Sequence, residues 1–179
     1  EAKEMRYTDE NPENIASGIR ASYPFHPATR DLFARFKENA GFQQTRGFIR
    51  LTRAMVKGLF KEGGLADNRF LINPYDIDLN DSEMNTIIKQ IKPELANAIS
   101  HDIASHGSAI AEQLDKPTQS TDIQDLSKLI FIASLSKVTG SIVGLTMNET
   151  IAYICTPGRN ITNLTKSMDE LKLRAWYLF

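Results

Sequence analysis

The feature that most constrains this chain is the stretch Gln44 to Phe60, whose side chains separate onto two faces of a helix. At about 100° per residue from Arg46, the large apolar side chains fall between about 140° and 320°. They are Phe48, Ile49, Leu51, Met55, Val56, Leu59 and Phe60. The pattern predicts an amphipathic helix with this face buried in a core.

The opposite face of the same helix carries a row of cations and no acid. These cations, within about 60° of Arg46, are Arg46, Arg50, Arg53, Lys57 and Lys61. No acidic residue occurs from Ala40 to Lys61, whereas a solvated face usually mixes signs and gains i,i+4 pairs. The row fits an ordinary solvated face, or a face beside an anion: a phosphate, a nucleic acid or an acidic neighbouring segment.

Start signals predict further helices in the first two thirds of the chain. Proline is favoured at N1, where its missing N–H is not needed, and aspartate is a favoured N-cap. The predicted helices run from Asn14 to Arg20, from Pro27 to about Asn39, from Asp81 to Ile91, from Pro93 past His101 toward Gly107, and from Ser108 to Leu114.

The last third has its own start signals. Thr146 and Glu149 have the spacing of a capping box, which predicts a helix ending near Cys155. Asp122 to Val138 should be a buried helix, another helix should begin near Ile161, and Trp176 to Phe179 has strand character. This order is typical of a winged helix without its wing, and equally of a three-helix module that only packs.

Charge and composition suggest three modules in a mostly α chain. Residues 1–61 hold 11 basic and 7 acidic groups, residues 62–120 hold 4 and 10, and residues 121–179 hold 6 and 5. With breaks at Gly63-Gly64 and at the Pro117 linker, we predict a helical module 1–62, an acidic helical connector 63–120 and a winged-helix-like module 121–179 that is truncated at the wing and has little β structure.

Composition also limits location and partners. The net charge of −1 gives no general attraction to nucleic acid or anionic lipid. The longest apolar run, Leu129 to Ala133, is far below the roughly 20 residues that span a bilayer, so we expect no membrane partner. The single cysteine favours a reducing, cytoplasmic setting. Because residue 1 is Glu, we expect a piece of a larger parent protein.

The sequence lacks the common catalytic motifs. No Gly-Lys pair occurs, so the chain has no phosphate loop and should not hold ATP alone. His101-Asp102 is a dipeptide typical of helical phosphohydrolases, but His101 and His106 lie about 140° apart on a helix and would not share a metal. We therefore expect no metal site, and we expect Cys155 to be a small core residue.

A DNA-binding role is the alternative that the residues themselves suggest. The helix from Ile161 would enter a groove, with cations on it and on the Gln44 helix contacting phosphates. The candidate nucleic-acid-binding residues are Arg53, Lys57, Lys61, Arg159, Thr162, Asn163, Lys166 and Lys172.

Five stretches of the chain are distinctive: Tyr23 to Pro27, Gly41 to Leu51, Ser105 to Asp115, Pro157-Gly158 and Trp176 to Leu178. Together they resemble a family of large, uncharacterised, predicted AAA+ ATPases of bacteria and archaea, and Gln44-Thr45-Arg46-Gly47 is the most specific part. The resemblance implies a region after the ATPase core: a helical lid, a helical connector and a winged-helix-like module.

The resemblance also implies a function and partners. A AAA+ lid presents a sensor arginine from the start of a helix to the γ-phosphate of ATP; Arg46 matches that place and Arg50 is the second candidate. The fragment would be non-catalytic, with ATP bound mainly by the missing core of a parent that hydrolyses it. Its partners would be the rest of the parent, with DNA and a homo-oligomer of the parent left open, in DNA modification or phage defence.

Overall fold

The computed structural model describes residues 11–35, 42, 44–135 and 144–178. Over these ranges the chain is mostly helical, as predicted. The only β pairing in them is an isolated parallel bridge between Phe25 and Ile72. The predicted helix ends at Asn39 and Val138, and Phe179, lie outside the described residues.

The helices occur in the predicted order along the chain. In chain order the α-helices of the described ranges are α1 Pro12–Ser22, α2 Pro27–Arg35, α3 Gln44–Phe60, α4 Ser82–Ile91, α5 Ala96–Ala98, α6 Ile110–Asp115, α7 Asp122–Ser134, α8 Met147–Ile154 and α9 Ile161–Arg174. Short 3-10 turns occupy Ala66–Asn68, Pro93–Leu95 and Lys116–Thr118, and a π turn occupies Ile99–Ile103.

Helix α3 buries the middle of its apolar face and exposes one edge. Leu51 and Met55 are fully buried and Leu59 is 4% exposed. Ile49 and Phe60 are 61% and 69% exposed, so their predicted burial is wrong. Both lie at the edge of the apolar arc next to the cations, where the core does not reach.

The predicted caps of the later helices are confirmed. Asp81 accepts a hydrogen bond from the Met84 N–H at the start of α4. At the start of α8, the Thr146 hydroxyl accepts from the Glu149 N–H, and the Glu149 carboxylate accepts from the Thr146 N–H, at 3.2 and 2.8 Å. These contacts satisfy amides that a helix start leaves unpaired.

The helix predicted from Pro93 past His101 toward Gly107 forms from Pro93 to Ile103 and stops short of Gly107. A 3-10 turn leads into α5, and the π turn that follows ends at Ile103. The next helix, α6, begins at Ile110 rather than Ser108, because Glu112 turns back to accept the N–H groups of Ser105, Gly107 and Ala109. A carboxylate that binds three loop amides holds this segment out of a continuous helix.

The strand predicted at Trp176 to Phe179 does not form over residues 176–178. The N–H groups of Trp176 and Tyr177 donate instead to the buried carboxylate of Asp102. A side chain therefore satisfies the amides that a partner strand would have satisfied, and β propensity alone could not predict this contact.

One hydrophobic core joins the three predicted modules. Buried side chains of α3, α4, α7, α8 and α9 belong to the same cluster. Helix α7 lies at its centre and packs against α2, α6, α8 and α9. The module boundaries at 62/63 and 120/121 stay predictions from composition.

Candidate anion site at the start of α3

The last two cations of the row, Lys57 and Lys61, pair with acids that follow in the chain. Lys57 Nζ lies 2.7 Å from Glu83 Oε2, and Lys61 Nζ lies 2.6 Å from Asp78 Oδ2. The hydrogen bond from Lys57 lowers the pKa of Glu83. Burial raises the pKa of Asp78, but the hydrogen bond and charge of Lys61 outweigh it, so that pKa also lies below its usual value. The sequence left open a phosphate, a nucleic acid or an acidic neighbouring segment as the anion beside the row. For Lys57 and Lys61 it is an acidic neighbouring segment.

The first two cations of the row, Arg46 and Arg50, are different, because neither has an ion-pair partner among the described residues. Arg50 Nη1 donates to the neutral amide oxygen of Gln90 on α4 at 2.9 Å. Arg46 is exposed in the first turn of α3, and among the described residues it has no hydrogen-bond or ion-pair partner. Arg53 is also exposed, and its charge acts on Glu83.

A cavity of about 290 Å³ lies between the start of α3 and the end of α4. Arg46 and Arg50 line it together with Gln90. The remaining lining residues are Phe42, Gly47, Ile87 and Ile91. The cavity thus carries two guanidinium groups, and none of its described lining residues is acidic.

Because Gly47 has no side chain, the backbone of Phe42 can lie close to the first turn of α3. A Cβ atom at Gly47 would lie 1.5 Å from the carbonyl oxygen of Phe42. Phe42 itself is 2% exposed, so this backbone approach is anchored in the core. The wall of the cavity is therefore fixed by packing and tolerates no side chain at position 47.

These features suit an anion with several oxygens. Guanidinium groups bind carboxylate and phosphate oxygens in a planar fork, and the first turn of a helix favours negative charge. The structure brings the two predicted nucleotide-sensing residues, Arg46 and Arg50, to one cavity. Sequence reasoning missed Gln90 and Phe42, because neither lies near Arg50 in the sequence or carries a charge.

All but one of the predicted nucleic-acid-binding residues lie on or next to two helices. Arg53 and the paired Lys57 lie on α3, and the paired Lys61 directly follows it. Thr162, Asn163, Lys166 and Lys172 are exposed on α9, where Asn160 caps the helix by accepting from the Asn163 N–H. Lys172 lies near the other end of α9, so the set does not form one compact patch.

Arg159 occupies a buried ion cluster instead of the surface. Its side chain is 11% exposed; Nε lies 3.1 Å from Asp122 Oδ1, and Nη2 contacts Asp125. These pairs occupy its guanidinium, so we leave Arg159 out of the phosphate-contacting set. Asp125 also binds Arg69 Nη2 at 3.0 Å, and Arg69 Nε lies 2.8 Å from Asp76.

Tyr75 lies between the two arginines of this ion cluster. The guanidinium carbons of Arg69 and Arg159 each lie 5.4 Å from the centre of its ring. Burial raises the pKa of the Tyr75 hydroxyl, and burial also raises the pKa of Asp76 despite the charge of Arg69. Sequence reasoning missed this cluster; its one signal was an aspartate, Asp125, close to the apolar residues Ile123 and Leu126 of α7.

The other sequence hypotheses have their places in the structure. His101 Nδ1 lies 2.6 Å from Asp102 Oδ1, and the described residues contain no group of three or more histidines, cysteines or acids placed to hold a metal. Cys155 follows α8 and packs against the core, as predicted. No helix in the described ranges is long and apolar enough to cross a membrane.

Comparison with known proteins gave one relationship. Neither the curated proteins nor the solved structures contain a match to this chain. A family model described as the DUF499 second domain matches residues 6–154, which include α1 to α8 and the cavity at the start of α3. The chain therefore belongs to the DUF499 second-domain family.

Proposed function

We propose that this chain is a non-catalytic portion of a AAA+ ATPase whose lid presents Arg46 to the phosphates of ATP bound by the rest of the parent protein. The observation that carries the proposal is the cavity at the start of α3, with two arginines and no acid among its described lining residues. The sequence resemblance supplies the AAA+ context, and membership of the DUF499 family is compatible with it.

Hydrogen bonding distinguishes the two arginines of the cavity. Arg50 donates to Gln90, so a phosphate would have to replace an existing hydrogen bond. Arg46 has no such bond among the described residues and can reach an incoming anion without that cost. We therefore assign the sensor role to Arg46 and a supporting role to Arg50.

ATP turnover by the full-length parent tests this function. Arg46→Ala should lower turnover at least about tenfold, the order for loss of one charge-stabilising contact in phosphoryl transfer. Arg53→Ala is the matched control, because Arg53 is an exposed arginine of the same helix that does not line the cavity. Equal effects of the two substitutions, or a parent without ATPase activity, would contradict the proposal.

A stand-alone winged-helix DNA-binding protein is the second candidate. The order α7, α8, α9 and the exposed polar start of α9, Thr162 and Asn163, favour it. Against it, Asp169 and Glu170 are exposed on α9 between Lys166 and Lys172. Duplex binding carried by these lysines would be weak and would fall steeply with salt. Duplex binding that persists at high salt would contradict this electrostatic account of DNA binding.

A further inference from the structure

Two exposed aromatic side chains follow α9. Trp176 is 67% exposed and Tyr177 is 49% exposed. The residues on either side of this pair, Ala175 and Leu178, are 7% and 6% exposed and belong to the core. Because the residues on both sides are buried, the backbone of this pair is fixed and both aromatic side chains are held at the surface.

A buried carboxylate fixes the backbone of this pair. Asp102, which is 0% exposed, accepts the Trp176 N–H at 3.1 Å and the Tyr177 N–H at 2.7 Å. Charge-assisted hydrogen bonds of this kind are stronger than neutral ones. Asp102 therefore sets the orientation of residues 176 and 177 from a distant part of the chain.

The neighbouring His101 completes an aromatic cluster, defined here as His101, Trp176 and Tyr177. The rings of His101 and Trp176 stack with centroids 4.2 Å apart and planes at 30°. The Tyr177 ring meets His101 edge-on at 6.1 Å. The stack covers one side of the indole, and the exposure of Trp176 leaves much of the rest open to a partner.

Two cations shortly precede Trp176 and Tyr177 in the chain. Lys172 and Arg174, in the last turn of α9, are exposed and have no ion-pair or hydrogen-bond partner among the described residues. The acids of the same face, Asp169 and Glu170, lie about one turn earlier in the helix. The surface nearest Trp176 along the chain therefore combines open ring faces with unpaired positive charge.

We propose that the aromatic cluster, with Lys172 and Arg174, binds single-stranded nucleic acid. Unpaired bases would stack on Trp176 and Tyr177, while the two cations would contact the phosphates, as in other surfaces that bind single strands without sequence preference. Duplex DNA fits poorly, because its base faces are covered within the stack. A purely apolar protein partner would leave the two cations without a role. This binding does not require ATP or the cavity on α3.

Fluorescence of the chain reports directly on the proposed contact, because Trp176 is its only tryptophan. Titration with an oligothymidine of about ten nucleotides, within the usual site size of single-strand-binding surfaces, should quench that fluorescence. Higher salt should weaken the binding. A duplex of the same length should quench much less. No quenching by the single strand, or equal quenching by the duplex, would overturn the proposal.

Substitutions test the contribution of base stacking. By anisotropy of a labelled oligothymidine, Trp176→Ala should weaken binding about tenfold, and Trp176→Phe should restore most of it. Leu173→Ala is the control, because Leu173 is 85% exposed and adjacent but has no ring. The proposal fails if Trp176→Ala binds as tightly as the wild type, or if Leu173→Ala weakens binding equally.

Discussion

Asp125 is the residue on which the buried ion cluster depends. It accepts from both Arg69 and Arg159, and it is 1% exposed. Removing its charge would leave Arg69 with Asp76 alone and Arg159 with Asp122 alone, in a medium that solvates charge poorly. Here a single carboxylate serves two guanidinium groups, from the segment before α4 and from the loop before α9.

We expect Asp125→Asn to lower the free energy of unfolding by about 3 kcal/mol or more, the range for breaking a buried pair. Urea denaturation measures it. Glu83→Gln is the control: it removes an exposed partner of Lys57 and should leave the urea midpoint unchanged. If Asp125→Asn has no larger effect than this control, the buried cluster does not stabilise the fold.

Glu112 should make the stability depend on pH. Burial raises its pKa, but hydrogen bonds from Asn80 and from the amides of Ser105, Gly107 and Ala109 outweigh burial, so the pKa lies below 4.5. Since the folded-state pKa is depressed, the stabilisation is present above pH 4.5 and is lost as the pH falls through the folded value.

The substitution Glu112→Gln tests this dependence. Urea denaturation at neutral pH and well below pH 4.5 should show that the wild type loses more stability than the variant over the same interval. Parallel losses in the two proteins would mean that Glu112 is not the group responsible.

At the scale of elements, local signals predicted the helices whose ends are capped by near neighbours. Helix α3 was recognised by its periodicity, α4 by Asp81 and α8 by Thr146 with Glu149. Elements shaped by distant contacts were not predictable. The conformation of residues 176 and 177 depends on Asp102, which lies 74 and 75 residues away in the sequence, and periodicity carries no information about that contact.

The capping box of α8 gives a prediction at this scale. Thr146→Ala removes the hydroxyl that accepts the Glu149 N–H, and the free energy of unfolding should fall by about 1 kcal/mol. Thr162→Ala, in the exposed first turn of α9, should change it much less, because the side chain of Asn160 already caps that helix. Urea denaturation measures both variants. Equal losses of unfolding free energy would show that the capping hydrogen bond of Thr146 does not stabilise α8.

At the scale of the whole molecule, charges that look uneven along the sequence are partly balanced in space. Lys57 of α3 pairs with Glu83 in the first turn of α4, and Lys61, which directly follows α3, pairs with Asp78. The sequence left open whether the cationic row is an ordinary solvated face or lies beside an anion. The structure divides the row into two parts. Lys57 and Lys61 pair with acids of this chain, and Arg46 and Arg50 line a cavity. The positions of the cations were predictable from the sequence. Which of them pair with acids and which line the cavity depends on how α3 packs on α4.

The chain alone should bind ATP weakly. Its cavity offers two arginines, whereas a nucleotide site normally also needs a cradle of backbone amides and a bound magnesium ion, and the sequence lacks a phosphate loop. Calorimetry on the isolated chain should detect no micromolar affinity. An affinity of that order would mean that the site is a complete nucleotide site rather than part of one.

Hydrogen exchange in the full-length parent, with and without ATP, tests the central claim most directly. If the cavity at the start of α3 closes on the phosphates, ATP should slow amide exchange over residues 44–50 in the wild type and not in Arg46→Ala. Residues 161–174 of α9 should serve as an internal reference that does not change. Unchanged exchange over residues 44–50 in a parent that binds ATP, or equal protection in the Arg46→Ala variant, would contradict the account.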